Sequence, residues 1–102
     1  MAREEIRDGD CLLAIVIRGQ DWKDGLDFIS SEQDFQQVGT WSYNKGKALQ
    51  AHRHLTTPRT AQWTQEVVYL KQGRLRADIY STEKRLVASV QLIAGDTIDT
   101  IK

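Results

Sequence analysis

One cysteine, one proline and two histidines are all that 102 residues contain of those types. A lone Cys11 closes no disulfide within the chain, so stability is left to an apolar core, as suits a reducing compartment. Neither sign of charge is in excess: 14 Lys and Arg stand against 14 Asp and Glu. Such a balance gives no strong field to hold a phosphate backbone or an anionic bilayer, which argues against nucleic acid and membrane surface as partners. Long hydrophobic runs are also missing. The longest, Cys11 to Ile17, falls far short of the roughly 20 residues that cross a bilayer. Acidic Glu4 and Glu5 occupy the place where a signal peptide carries its apolar segment, so a cytoplasmic protein is expected. Glycine-rich phosphate loops, Cys-x-x-Cys pairs and His-Glu-x-x-His helices are absent from the sequence.

What is present reads as strands. Cys11–Ile17 is short, rich in β-branched residues and set between Gly9 and Gly19, which favours a buried strand over a helix. Asp21 to Asp34 reads as a connecting loop with room for one short strand, anchored by Trp22, Leu26, Phe28 and Ile29. Strand signals then recur over Phe35–Tyr43, Lys47–His54, Thr64–Lys71, Arg74–Tyr80 and Leu86–Ile93. Helical periodicity is sustained nowhere, so the fold class is all-β, a sandwich or barrel. Arg74 to Ile79 alternates charged and apolar side chains, giving that strand one wet and one buried face. Asn44-Lys45-Gly46 and Lys71-Gln72-Gly73 read as hairpin turns. A single domain over 1–102 is expected, with an N-terminal strand and loop at 1–34 and a barrel core at 35–102.

Both histidines, His52 and His54, fall in one predicted strand at a spacing of two, so they point the same way. At roughly 6.5 to 7 Å between their backbone positions, two imidazoles can reach one divalent ion. In Glu66-Val67-Val68-Tyr69-Leu70, Glu66 shares a face with Val68 and Leu70. If that face is inward, the carboxylate needs a partner such as a cation. The alternative sets Glu66 in solvent, or against Arg53 or Arg59, and turns Gln65 inward instead. Zinc, iron, manganese and nickel all suit a His-His-carboxylate set, and the ligand types alone do not choose among them.

Gly46 followed after five residues by His52-Arg53-His54, and Glu66 followed after six by Gly73, together resemble the two halves of the first cupin motif, G-x5-H-x-H and E-x6-G. The block from Gly46 to Asp96 is thus similar to the cupin superfamily. Membership implies a double-stranded β-helix, the jelly-roll barrel of cupins, with His52, His54 and Glu66 as ligands of a divalent transition metal. Two features depart from the pattern. The interval from His54 to Glu66 is longer than the family's, and reads as a long loop at the barrel mouth. The second motif opens at Gly95-Asp96 but its later glycine turn and histidine are not in the sequence, which implies a barrel lacking its last strands. An exposed edge of that kind asks for cover, and a homodimer is expected to supply it.

Within this frame Arg59 is a candidate clamp for a carboxylate or phosphate, and Trp63 a stacking platform for a sugar ring. Tyr43 and Tyr69 are candidate proton donors, although Tyr69 should face outward. Arg74, Arg76, Lys84 and Arg85 interleave with acids and read as a solvated face. Cys11 reads as an inert core residue. The function expected first is a small metal-binding cupin enzyme acting on a small polar substrate such as a sugar derivative. Set beside it are a non-catalytic module binding a carbohydrate or small ligand, and a structural dimeric β-barrel.

Overall fold

In the computed structural model, which describes residues 3–102, β2 (Cys11–Ile17) lies inside a four-stranded antiparallel sheet ordered β1-β2-β8-β5. Its neighbours are β1 (Arg3–Asp8) and β8 (Thr97–Thr100), and β5 (Glu66–Tyr69) forms the far edge. Met1 and Ala2, counted above within the single domain, lie outside the described residues. Two separate hairpins complete the strands: β3 (Gly25–Phe28) with β4 (Gly39–Ser42), and β6 (Arg74–Tyr80) with β7 (Leu86–Ile93). No helix is present among the described residues beyond one 3-10 turn at Gly19–Asp21. The protein is all-β, as the sequence predicts, and each of these strand pairs is antiparallel.

The apolar run of β2 follows from its position. Ala14 and Val16, with Ile6, Leu92 and Ile98, form a core on one face, beneath Leu75, Ala77, Ile79, Val87, Ala88 and Val90 of the β6–β7 hairpin. Ile15 and Ile17 pack on the other face against Ile29, just beyond β3. A strand covered on both sides has no wet face, so it does not alternate. β6 has one covered side only, and its alternation survives: Leu75, Ala77 and Ile79 pack inward while Arg74 and Arg76 are exposed. Burying Leu13, Val16, Ile17 and Leu92 completely contributes about 1.5–3 kcal/mol each.

Two backbone devices fix the register. Gly9, at φ +59°, takes the first position of the two-residue loop between β1 and β2, where positive φ is needed. A bulge between Ile6 and Arg7 leaves Leu13 without an opposite residue. The Leu13 carbonyl accepts instead from the backbone N–H of Ile101, at 2.8 Å, and of Lys102.

Three sequence expectations need correction. The ladders do not close into a barrel: three separate sheets are formed, and β5 and β1 end the largest of them. Lys47–His54 is not a strand; it belongs to an exposed, irregular segment running from 43 to 65. Only Ala48, Leu49 and Ala51 there are apolar, too little to bury a face against a sheet. The two glycine turns form but do not make hairpins. Gly46 (φ +93°) leads into the irregular segment, and Gly73 (φ +90°) carries the chain from β5 in the central sheet to β6 in another. The strands predicted at Phe35–Tyr43 and Thr64–Lys71 shorten to Gly39–Ser42 and Glu66–Tyr69, whereas Arg74–Tyr80 and Leu86–Ile93 form at the predicted bounds.

Candidate functional site

The β3–β4 hairpin and the irregular segment face each other across an open groove. Phe28, Gly39 and Trp41 line one side; His52, His54, Leu55, Thr57 and Arg59 line the other, with Glu32 and Gln37 at the rim. The cavity volume is about 660 Å³. A narrower apolar extension of about 190 Å³ lies among Leu26, Trp41, Tyr43, Leu49 and His52, and Trp41 and His52 border both. Antiparallel pairing sets Leu26 opposite Trp41, and Tyr43, one residue past β4, lines the same extension. Trp41 is 51% and Phe28 56% exposed, unusual for such large apolar side chains standing together.

Arg59 ties the irregular segment to the opposite rim. Its Nη1 donates to the carbonyls of Glu32 and Asp34, the latter at 3.0 Å. Gln37 steadies the same rim by donating through Nε2 to the Ser31 carbonyl at 3.0 Å. Only part of the Arg59 fork is used in this way, since guanidinium carries five N–H donors.

The imidazoles of His52 and His54 stack, with centroids 5.4 Å apart and planes inclined by 16°. An imidazole nitrogen binds a metal in its ring plane, so two nearly parallel rings aim their lone pairs side by side and not at one point. Glu66 is elsewhere. It pairs with Thr100, which pairs with Ala14 of the core beneath β6–β7, so its side chain leaves the face of the sheet opposite to that on which Ile29 packs. The parity expected for Glu66, Val68 and Leu70 holds, but only Leu70 reaches that core; Glu66 is exposed at the strand end. Among the described residues no three His, Cys, Asp or Glu side chains gather to hold a metal ion. His52, His54 and Glu66 therefore do not form one donor set.

Gln65 takes the inward place instead. Its Nε2 donates to both carboxylate oxygens of Asp99, at 3.1 and 3.4 Å. Asp99 is fully buried. Burial pushes its pKa up, the Gln65 amide pulls it down, and the nearby charge of Asp34 raises it again, with a net upward shift. Trp63 lines a different cavity, of about 240 Å³, with Asp34, Gln65 and Ile101, and Lys102 Nζ lies 5.0 Å above its ring. Arg59 and Trp63 thus serve separate cavities. Tyr69 is exposed, as expected of its face, and lies outside the groove.

A third polar cluster joins the strand ends. Asp96 accepts from the backbone N–H of Gly19 and Ile93 and from Arg18 Nη1, at 3.0, 2.9 and 2.9 Å. Arg18 also donates to Glu4 at 2.7 Å and to the Gln91 carbonyl at 2.7 Å. Burial alone would raise the Asp96 pKa, but the two N–H donors and the Arg18 guanidinium outweigh it and hold the carboxyl below its usual range. With every oxygen partnered in this way, the cluster serves to fasten β1, β2 and the β7–β8 turn together. Neither Trp41 nor Asp99 has an expected role in the sequence. The pairing of Trp41 with Tyr43 at i, i+2 was the available signal for the groove; nothing in the run Thr97 to Thr100 marks Asp99 as buried.

Comparison with known proteins finds no family model, curated protein or solved structure that matches the chain. No helix among the described residues is long and apolar enough to cross a membrane.

Proposed function

We propose that the chain is a cupin-like, non-catalytic module that binds a small polar ligand, such as a sugar derivative, in the groove between Trp41 and the histidine pair. The observation that carries this reading is the pairing of half-exposed aromatic faces, Trp41 and Phe28, with imidazole and guanidinium donors across a cavity of about 660 Å³. Ligand sites are typically apolar concavities of this size with a few placed polar groups. A sugar ring offers C–H faces for the aromatics and hydroxyls for His52, His54 and the free arms of Arg59. The relation to cupins rests on the two half-motifs, Gly46 to His54 and Glu66 to Gly73. On this reading the antiparallel sheets are part of a double-stranded β-helix.

The metal expected from the sequence is not carried into this mechanism, because stacked imidazoles and a carboxylate on the opposite sheet face do not fit one ion. What the residues do is bind and orient. Trp41 supplies a flat apolar wall, the imidazoles exchange hydrogen bonds with hydroxyls, and Arg59 selects for acidic groups through its remaining donors.

The test is a fluorescence titration in a Trp22→Phe/Trp63→Phe background, which leaves Trp41 as the sole indole reporter. Neutral sugars, uronic acids and sugar phosphates are added in turn. A saturable change in Trp41 emission with at least one of them is expected. A flat response to the whole panel, confirmed by unchanged amide spectra of the unsubstituted protein, would overturn the reading.

A further inference from the structure

We infer that β5 is the dimerisation strand: two copies of this chain pair antiparallel, edge to edge, about a two-fold axis at Val68. β5 ends the central sheet, and all four of its residues are exposed. An open strand edge is a template for another strand unless something blunts it. The opposite edge is blunted. Five of the six residues of β1 are charged. In β5 the sole charged residue is Glu66 at one end, followed by Val67, Val68 and Tyr69, which are 36%, 36% and 58% exposed.

The hydrogen bonds fix which backbone groups are free. Leu70 donates its N–H to Asp96 and accepts at its carbonyl from Gly95, both on the β8 side. Because these directions alternate along a strand, Val68 and Glu66 also address β8, while Val67 and Tyr69 direct N–H and C=O outward. Of the antiparallel self-pairings that use outward groups on both sides, the one that keeps both outward residues of each copy within β5 joins Val67 to the partner's Tyr69; pairing Val67 or Tyr69 with itself would draw Gln65 or Lys71, outside the strand, into the ladder. That register centres on Val68 and repeats itself by two-fold symmetry, the commonest closed arrangement of soluble oligomers.

The side chains agree with it. Val68 meets the partner's Val68 on the core side of the sheet. On the other side, Val67 meets the partner's Tyr69 twice, a β-branched and aromatic pairing that sheets favour. Glu66 stands opposite the partner's Leu70, with the partner's Lys71 one position further along. The two Glu66 carboxylates are then about 14 Å apart along the strands, too far to repel strongly in salt. A pairing of β5 with the partner's β1 would leave an open chain of copies and place Val67 and Val68 against charged residues.

This surface is separate from the ligand groove, so its test is independent of the ligand. Sedimentation and light scattering of the unsubstituted chain should show mass rising from 11.7 kDa toward twice that value across the micromolar range. Val67→Pro removes an outward N–H and spares the β5–β8 ladder; it should weaken association by at least about tenfold. Val68→Lys and Val68→Glu should each be monomeric, and an equimolar mixture should recover the dimer. In the unsubstituted protein, exchange of the Val67 and Tyr69 amides should slow with concentration while that of Val68 stays constant, a readout that needs no variant to fold. A chain that stays monomeric throughout, a dimer indifferent to Val67→Pro, or equal concentration dependence at all three amides would overturn the proposal.

Discussion

Gly19 and Gly95 pass each other at backbone contact. A Cβ on Gly19 would stand 2.5 Å from the Gly95 carbonyl oxygen, and no flexible side chain is there to yield. Gly19→Ala is therefore expected to destabilise the protein by about 1–3 kcal/mol, read from urea unfolding. At Gly95 space is ordinary, but φ is +98°, so Gly95→Ala should cost roughly 1–2 kcal/mol through the backbone alone.

Asp96 binds the same junction through charge. Asp96→Asn should lower stability at neutral pH by about 1.5–3 kcal/mol, the worth of hydrogen bonds to an ionised group. Its folded pKa lies below the usual 3.8, so its contribution is complete above that value and is lost as pH falls through the lower, folded value. The variant should show less acid sensitivity than the parent in that window. Parallel pH profiles for the two would contradict the assignment.

Asp99 behaves oppositely. Its folded pKa is raised above 3.8, so ionisation costs stability as pH climbs from 3.8 through the folded value. Asn keeps an acceptor for Gln65 and carries no charge. Asp99→Asn should consequently be the more stable form at neutral pH, and the difference should vanish on acidification toward 3.8. Thermal melts at several pH values measure it.

Lys84 is the one non-glycine residue with positive φ among the described residues, at +67°. It sits in the β6–β7 loop, where the buried Ser81 hydroxyl accepts from the N–H of Glu83 and Arg85. Glycine meets no Cβ clash in that conformation. Lys84→Gly is expected to raise stability by about 0.5–1 kcal/mol, and a loss would show that the lysine side chain contributes something the loop geometry does not reveal.

In the groove, Trp41→Ala should weaken binding of any ligand found by the titration by about tenfold, or about 1.4 kcal/mol. Calorimetry or amide chemical shifts would follow this, since the indole reporter is gone. Tyr80→Ala, exposed on β6 outside the groove, should leave the affinity unchanged.

The strands that bury side chains were legible in the sequence, Arg74–Tyr80 through its alternation and Cys11–Ile17 through an unbroken β-branched run between glycines. Cys11–Ile17, Arg74–Tyr80 and Leu86–Ile93 form at their predicted bounds. Lys47–His54 follows a turn and has the length of a strand, yet with only Ala48, Leu49 and Ala51 apolar it has too little to bury, and the segment stays irregular. The choice between Glu66 and Gln65 turned on which side of β5 meets a buried group. That depends on Asp99, 34 residues beyond Gln65, and no local pattern records it. Pairing order was equally hidden: β5 meets β8 instead of the β6 that follows it.

The place of β8 has a consequence for synthesis. The most apolar strand, Cys11–Ile17, leaves the ribosome well before Thr97–Thr100 and finds its inner neighbour only when that later strand has been made. Until then one edge of β2 and part of both its faces stand open to any sticky segment nearby, and non-local pairings of this kind close slowly. A newly made chain thus passes through a stage in which its best-protected strand in the finished molecule is its most vulnerable, and holdase chaperones would be expected to engage it there.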